Sequence, residues 1–265
     1  MDINISQAII NRINDYQPRE PILFEELLIG FESHKEAVYT AVSRLHKKNI
    51  IETFEKGIYY KPKNTKFGKL SIDKELLIKK KYIGFNNELG YVTGPEVWNK
   101  FHLTTQISNR RWIAQPNTRK KEIDRLHLVI IKAKAKIENN NVHILQFLDI
   151  LDYIDLIPDA SETSVILQLI EHYMEEFNAE DRFNSFNYVE NYPYKVKVLL
   201  GFIASHVKNE YFDVVLSNFF KKVKSRNKVK VSIDLRKFET RNEWSALFET
   251  TRKYRGQKSY EEIHT

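Results

Sequence analysis

The chain has 265 residues, with 42 Lys/Arg against 35 Asp/Glu, a net charge of +7 and no cysteine. That length suffices for one large or two ordinary domains, the missing thiols exclude disulfides and cysteine-ligated zinc, and 42% hydrophobic with 29% charged residues is an ordinary globular balance. No run approaches the roughly 18 uninterrupted apolar residues of a membrane span, and the N-terminus MDINISQAIINR lacks a basic region followed by an apolar core, so a cytoplasmic protein with no membrane contact is expected.

Ile5, Ile9, Ile10 and Ile13 predict a first helix over residues 3–15, which Pro18 and Pro21 then break. Residues 24–30 read as a short second helix, with Gly30 suited to a helix C-terminus. A third helix opens on Ser33 and Glu36, the S-x-x-E spacing of a capping box. Within it Ala37, Val38, Ala41, Val42 and Leu45 share one apolar arc, while Tyr39, Thr40, Ser43 and Lys47 lie opposite, with Glu36 beside them and Arg44 at the margin. Residues 50–54 and 58–61 follow as two strands around the turn Glu55-Lys56-Gly57. Three helices and a hairpin make residues 1–66 a winged helix-turn-helix, which sets a helix in the major groove and the hairpin on the backbone of double-stranded DNA.

On that reading Ser33, Lys35, Tyr39, Thr40, Ser43 and Lys47 touch the major groove. Arg44, Lys48, Lys56, Lys61 and Lys63 contact phosphates, fixing orientation without reading sequence. Glu36 has two readings, a capping residue or an acceptor from cytosine N4. Charge follows the same division: residues 33–66 carry eight bases against three acids, whereas residues 1–32 carry two against six.

The basic segment KPKNTKFGK, with Pro62 and Gly68, reads as a linker, placing the domain boundary at 66/67. Residues 67–265 then form a larger, mostly helical α+β domain, divisible into a mixed part at 67–138 and a mainly helical part at 139–265. Residues 72–82 are helical, and Thr93-Gly94-Pro95-Glu96 caps a helix reaching about residue 101. Strands at 110–115 and 126–137 flank a charged loop at 116–124; residues 126–131 are apolar on both faces. Helices are expected at 142–156, 161–178, 194–207 and 211–222, then a strand at 229–235, a short helix at 242–248 and a tail. The fold class is α+β with helices in the majority.

Enzymatic signatures are few. Eight glycines provide no G-x-G and no G-K-[ST], so phosphate-cradling loops are not expected. No G-x-S-x-G marks a nucleophile elbow, and the histidines (His127 and His206 among them) lack H-x-x-x-H spacing. Asp149, Asp152 and Asp155 recur every third residue, with Asp159 beyond Pro158. They read first as a solvated helix face over inward Leu145, Leu148, Leu151 and Ile154, second as an acidic docking surface, and last as a metal site of a divergent nuclease. Phe183, Phe186, Tyr188, Tyr192 and Tyr194 read as core, and Arg110-Arg111-Trp112 as a strand edge with solvated arginines or a grip on nucleic acid. The segment KKVKSRNKVK at 221–230 is a solvated loop or a phosphate or acidic-partner contact. Charge is segregated: residues 108–136 sum to +7, residues 138–190 to −11 and residues 221–260 to +9. Neither catalysis nor a cofactor is expected. The alternatives to DNA binding are a winged helix used for protein docking and the nuclease.

Two segments carry a resemblance. VSRLHKKNIIETFEKGIYYK, ending at Lys61, resembles the N-terminal winged helix of the AbiEi-type antitoxins of type IV toxin–antitoxin systems, in which a helix end of the form A-x-S-R-L-x-K-K-G precedes a G-x-Y strand. Residues 90–116, with Leu103-Thr104-Thr105-Gln106, are similar to the region that follows in the same family. Asn49 and His102 stand where those proteins often carry glycine. The resemblance implies a transcriptional autoregulator that binds repeat sites in its own promoter and opposes a nucleotidyltransferase-like toxin through its C-terminal domain.

Overall fold

The computed structural model describes residues 4–158, 160–207, 210–224, 228–238 and 243–250, in two compact units, Met1–Phe85 and Asn86–Thr265. Helix and sheet are mixed in both, an α+β architecture with helix in excess.

In the first unit α1 (Ile5–Asp15) is capped by the Asn4 side chain and ends where Tyr16 turns extended before Pro18. β1 (Ile22–Leu23) leads into α2 (Phe24–Leu28) and, after a 3₁₀ turn at Glu32–His34, into α3 (Lys35–Lys47). β2 (Glu52–Glu55) and β3 (Ile58–Tyr60) close a three-stranded antiparallel sheet of order β1-β3-β2. Val38, Ala41, Val42 and Leu45 of α3 meet Ile9 and Ile13 of α1 in a core completed by Ile22, Leu27, Ile51 and Tyr59. The four buried positions follow the 3.6-residue period, so burial of this one stripe, at about 1.5–3 kcal/mol per large apolar side chain, sets the orientation of α3.

Two local expectations fail here. The Ser33–Glu36 capping box does not form: the chain enters α3 through the 3₁₀ turn, Ser33 Oγ bonds His34 Nδ1 at 2.9 Å, and the residue preceding α3 is His34. Ala37, at the edge of the apolar arc, is exposed.

The boundary at 66 also moves, to residue 85. The expected linker folds into a second hairpin, β4 (Lys63–Thr65) with β5 (Gly68–Leu70), followed by α4 (Lys74–Ile78) and a π-helical turn at Lys79–Ile83. Arg19 ties this segment down, its carbonyl accepting from Asp73 N and its Nε donating to Ser71 O, both at 2.9 Å. Lys80 reaches Pro21 O and Glu26, Lys81 pairs with Glu55, and Ile72, Leu77 and Ile78 are buried.

The second unit opens with β6 (Tyr91–Thr93) and α5 (Pro95–Lys100). β7 (Arg111–Gln115), β8 (Lys121–Ile123) and β9 (Leu128–Lys132) complete a sheet of order β6-β7-β9-β8, with β7 and β9 parallel. β9 is buried from Leu128 to Ile131, as its doubly apolar pattern requires, but it stops at Lys132, well before 137, and β8 lies inside the expected loop. The predicted Thr93–Glu96 cap is absent: Gly94 caps α5 without a side-chain bond, while Thr93 belongs to the sheet.

The helical part follows: α6 (Val142–Asp152), α7 (Glu162–Glu175) capped by Ser161, α8 (Ala179–Tyr188) capped by Asn178, α9 (Tyr194–Ala204) and α10 (Glu210–Val223). The unpredicted α8 begins with the polar run Ala179–Arg182, and Phe183, assigned to the core from sequence, is 52% exposed. α9 is apolar nearly all round and is the centre on which α6, α7 and α10 pack. β10 (Val229–Val231) pairs in parallel with β11 (Phe248–Thr250), joined through a 3₁₀ turn at Glu243–Leu247 where a short helix was expected. Asp159 and the tail beyond residue 250 lie outside the described residues.

Gly201, midway along α9, lies against Trp244: a Cβ there would sit 2.2 Å from the indole. Replacing glycine by alanine in an open helix gains about 1 kcal/mol. Here Gly201→Ala is expected to do the opposite and lower the melting temperature of the second unit, and adding Trp244→Leu should recover part of the loss.

Candidate nucleic-acid interface

Because its inner stripe is buried, α3 presents its remaining face outward. Lys35, Glu36, Thr40, Arg44, His46 and Lys47 are exposed, Tyr39 is 55% exposed and Ser43 is half-buried. Thr40 Oγ1 donates to Glu36 O at 2.8 Å, within its own helix. The Tyr39 ring meets Phe24 edge-on at 6.0 Å, which steadies it while leaving its outer face open. Beneath it, burial first and then Tyr39 and Glu25 push the Tyr59 phenol up, so Tyr59 stays a neutral donor. With the capping box absent, the Glu36 carboxylate stands free on the same face.

The cations differ in how committed they are. Among the described residues, Lys35, Arg44, Lys47, Lys48, Lys56 and Lys63 take part in no ion pair and are exposed. Arg44 and Lys47 also fall in the last turn of α3, with Lys48 just beyond, where positive charge favours the helix dipole. Lys56 sits in the turn between β2 and β3, and Lys63 begins β4. Lys61 behaves differently: it is half-buried, and its ammonium donates to Asn14 O at 2.9 Å, which ties α1 to the exit of β3 and occupies one of its three N–H groups. Ser33, in the 3₁₀ turn, is exposed beside the start of α3. The fold thus gathers Lys35, Tyr39, Thr40, Ser43, Arg44 and Lys47 on one helix, with Ser33 in the turn before it and Lys48 at its end. Lys56 and Lys63 are on hairpins of the same unit.

No family model and no curated protein matches the chain. Among solved structures, the RV2827C protein from Mycobacterium tuberculosis is similar at 11% identity and a TM-score of 0.44, over 85% of this chain and 83% of that one. A likeness of that degree carries no argument.

Of the acidic run, Asp155 is exposed as expected, Asp152 is half-buried, and Asp149 departs from the solvated face. Asp149 is buried: Tyr91 OH and Thr93 Oγ1 donate to its Oδ2 at 2.9 Å each, and Tyr192 OH donates to its Oδ1 at 3.0 Å. Burial pushes its carboxyl above the ordinary carboxylate range, against the pull of Lys134 and the three hydroxyls. Asp152 pairs with Lys134, whose ammonium lies 4.8 Å and 5.0 Å from the Tyr153 and Tyr192 ring centres, and Asp155 pairs with Lys195 at 2.6 Å. No group of three carboxylate or histidine ligands comes together among the described residues. The arginines of the Arg110-Arg111-Trp112 segment are engaged too, Arg110 with Glu122 and Asp124, Arg111 with Glu96, over a buried Trp112. No helix among the described residues is long and apolar enough to cross a membrane.

Sequence reasoning missed the hairpin tip, where Phe67 is 90% exposed between Lys66 and Gly68. The K-F-G-K string at 66–69 was a usable signal, since a glycine after an aromatic between lysines suits a turn better than a linker.

Proposed function

We propose that the first unit is a winged helix-turn-helix that binds double-stranded DNA, and that the chain is a transcriptional autoregulator of the AbiEi antitoxin kind rather than an enzyme. The observation that carries this reading is the outer face of α3, open, polar and bordered by unpaired cations, on a helix followed directly by the β2–β3 hairpin. The order α1-β1-α2-α3-β2-β3, with β3 central in the sheet, is the connectivity a winged helix requires. On such a scaffold Tyr39, Thr40, Ser43 and Lys47 face base edges, Glu36 accepts from cytosine N4, and Arg44, Lys48, Lys56 and Lys63 meet phosphates.

The resemblance to the antitoxin family gains support from two backbone positions. Asn49 and His102, which stand where that family often has glycine, adopt φ of +56° and +57°. Both positions require the left-handed conformation that glycine reaches most easily and asparagine tolerates. Neutralisation of a nucleotidyltransferase-like toxin follows from the resemblance alone. Co-purification with the product of an adjacent nucleotidyltransferase reading frame tests it.

DNA binding is tested by titrating the full chain against the duplex that precedes its own reading frame, at several salt concentrations. Lys56→Ala is expected to weaken binding evenly across sequences and to reduce the salt slope by about one. Thr40→Ala is expected to alter sequence preference and leave the slope unchanged. If Lys56→Ala moves neither affinity nor slope, the β2–β3 turn does not lie on the phosphates.

A further inference from the structure

The β4–β5 hairpin covers nothing. All six of its strand residues are exposed, so the fold gains no core from it, and a lone two-stranded hairpin is marginal in water. It is nevertheless well held at its base. Lys69 pairs with Glu52 of β2 at 2.7 Å, and Arg19 fixes the exit at Ser71 and Asp73. Its turn is ordered as well: Thr65 Oγ1 donates to Gly68 O at 2.9 Å and accepts from Phe67 N at 3.2 Å. The result is an anchored arm that holds an aromatic ring 90% exposed at its tip, with Lys66 Nζ 5.1 Å from the ring centre and Lys63 and Lys69 along the strands.

We propose that Phe67 is a wedge, inserted from the minor groove between base pairs of the DNA that α3 engages, with Lys63 and Lys66 on the flanking phosphates. This rests on the reading of the first unit as a DNA binder. Apolar side chains on arms of this kind unstack a base step and bend the duplex away from the minor groove. Charge selects the partner: the tip segment 63–69 carries three lysines and no acid, which suits a polyanion with an apolar interior, and stacked bases inside a phosphate backbone provide that. The hairpin belongs to the same compact unit as α3 and its Lys69 pairs with Glu52 of β2; on this proposal wedge and helix act on one duplex.

The test uses the full chain and a duplex of about thirty base pairs from upstream of its reading frame, with dyes at both ends, reading affinity by anisotropy and bending by energy transfer. Phe67→Ala is expected to lower affinity roughly tenfold, as loss of one base–aromatic contact does, to abolish the bend, and to keep the salt slope. Phe67→Leu, still a wedge, should retain the bend. Lys63→Ala with Lys66→Ala should reduce the slope by about two. Unchanged melting of these variants shows that the fold is intact. If Phe67→Ala binds and bends DNA as the parent does while Lys56→Ala still loses affinity, the wedge is wrong and the helix reading stands. If the parent chain binds no DNA, both fall. If Phe67→Ala instead loses binding only to phosphatidylserine vesicles, the tip is a membrane contact and the proposal is overturned.

Discussion

Asp149→Ala is expected to unfold the second unit or bring it close to unfolding. The alternation of β6 turns Tyr91 and Thr93 to the same side, toward α6, and Tyr192 approaches from the turn before α9. One carboxylate therefore satisfies three buried hydroxyls from separate parts of the fold. Each hydroxyl left without its acceptor costs about 1–3 kcal/mol, which together is a large share of the roughly 5–15 kcal/mol that holds a domain folded. All three tryptophans, Trp98, Trp112 and Trp244, belong to this unit, so tryptophan fluorescence during urea unfolding reads it alone. A midpoint that Asp149→Ala leaves unchanged would show that the three hydroxyls find other partners.

Asp149→Asn keeps the shape and one acceptor oxygen and should cost much less. It also isolates the charge. The native carboxyl, raised chiefly by burial, holds its proton more tightly than the unfolded chain does. The proton's contribution to stability is thus complete below the ordinary carboxylate range and is lost as pH rises through the raised native value. The surrounding groups are Lys134 after β9, Tyr91 and Thr93 of β6, Tyr192, and Asp152 and Tyr153 at the end of α6. Asparagine at 149 does not titrate, so the stability of the parent relative to Asp149→Asn should fall across that window, and a rise would contradict burial as the cause.

These residues also show where sequence reading succeeds and where it stops. The inner stripe of α3 and the β2–β3 turn were legible because helical period and turn chemistry are local. The outer face of α3, and with it most of the candidate interface, followed from the same period. Lys61 was not legible, because its partner is a carbonyl 47 positions away. The β4–β5 hairpin escaped because three-residue strands with no buried face carry no alternating pattern. Asp149 was read as solvated because a three-residue spacing looks like a polar stripe, yet α6 packs against β6 on one side and α8 and α9 on others, so Asp149 faces protein while Asp155, beyond the helix, stays exposed. Charge segregation along the chain is partly offset within the fold. Lys134–Asp152, Lys195–Asp155 and Lys197–Glu190 set bases against the acids of the −11 segment, and Glu162 accepts from Ser232 N. Part of the acidic segment is thus paired within the fold, by lysines that lie before and after it in sequence.

Gly94→Ala is the second large loss expected, and two separate costs combine in it. Gly94 has φ +67° and ψ −138°, a region closed to L side chains, and forcing alanine into it costs about 1–3 kcal/mol. Its Cβ would also lie 2.7 Å from the Trp112 ring, which is held between Trp98 and Tyr153 at 5.9 Å and 5.4 Å. Overpacking of that kind adds about 1–3 kcal/mol. The register pairs Thr93 with Trp112, so a ring displaced by the new methyl group also disturbs the Thr93 hydroxyl that serves Asp149. A double-mutant cycle with Trp112→Ala, followed by circular dichroism in urea, separates the terms. With the indole removed, Gly94→Ala should retain only the backbone cost, so its effect should shrink to roughly half. An equal effect in both backgrounds would assign the whole loss to the backbone and remove the close approach of Trp112 from the explanation.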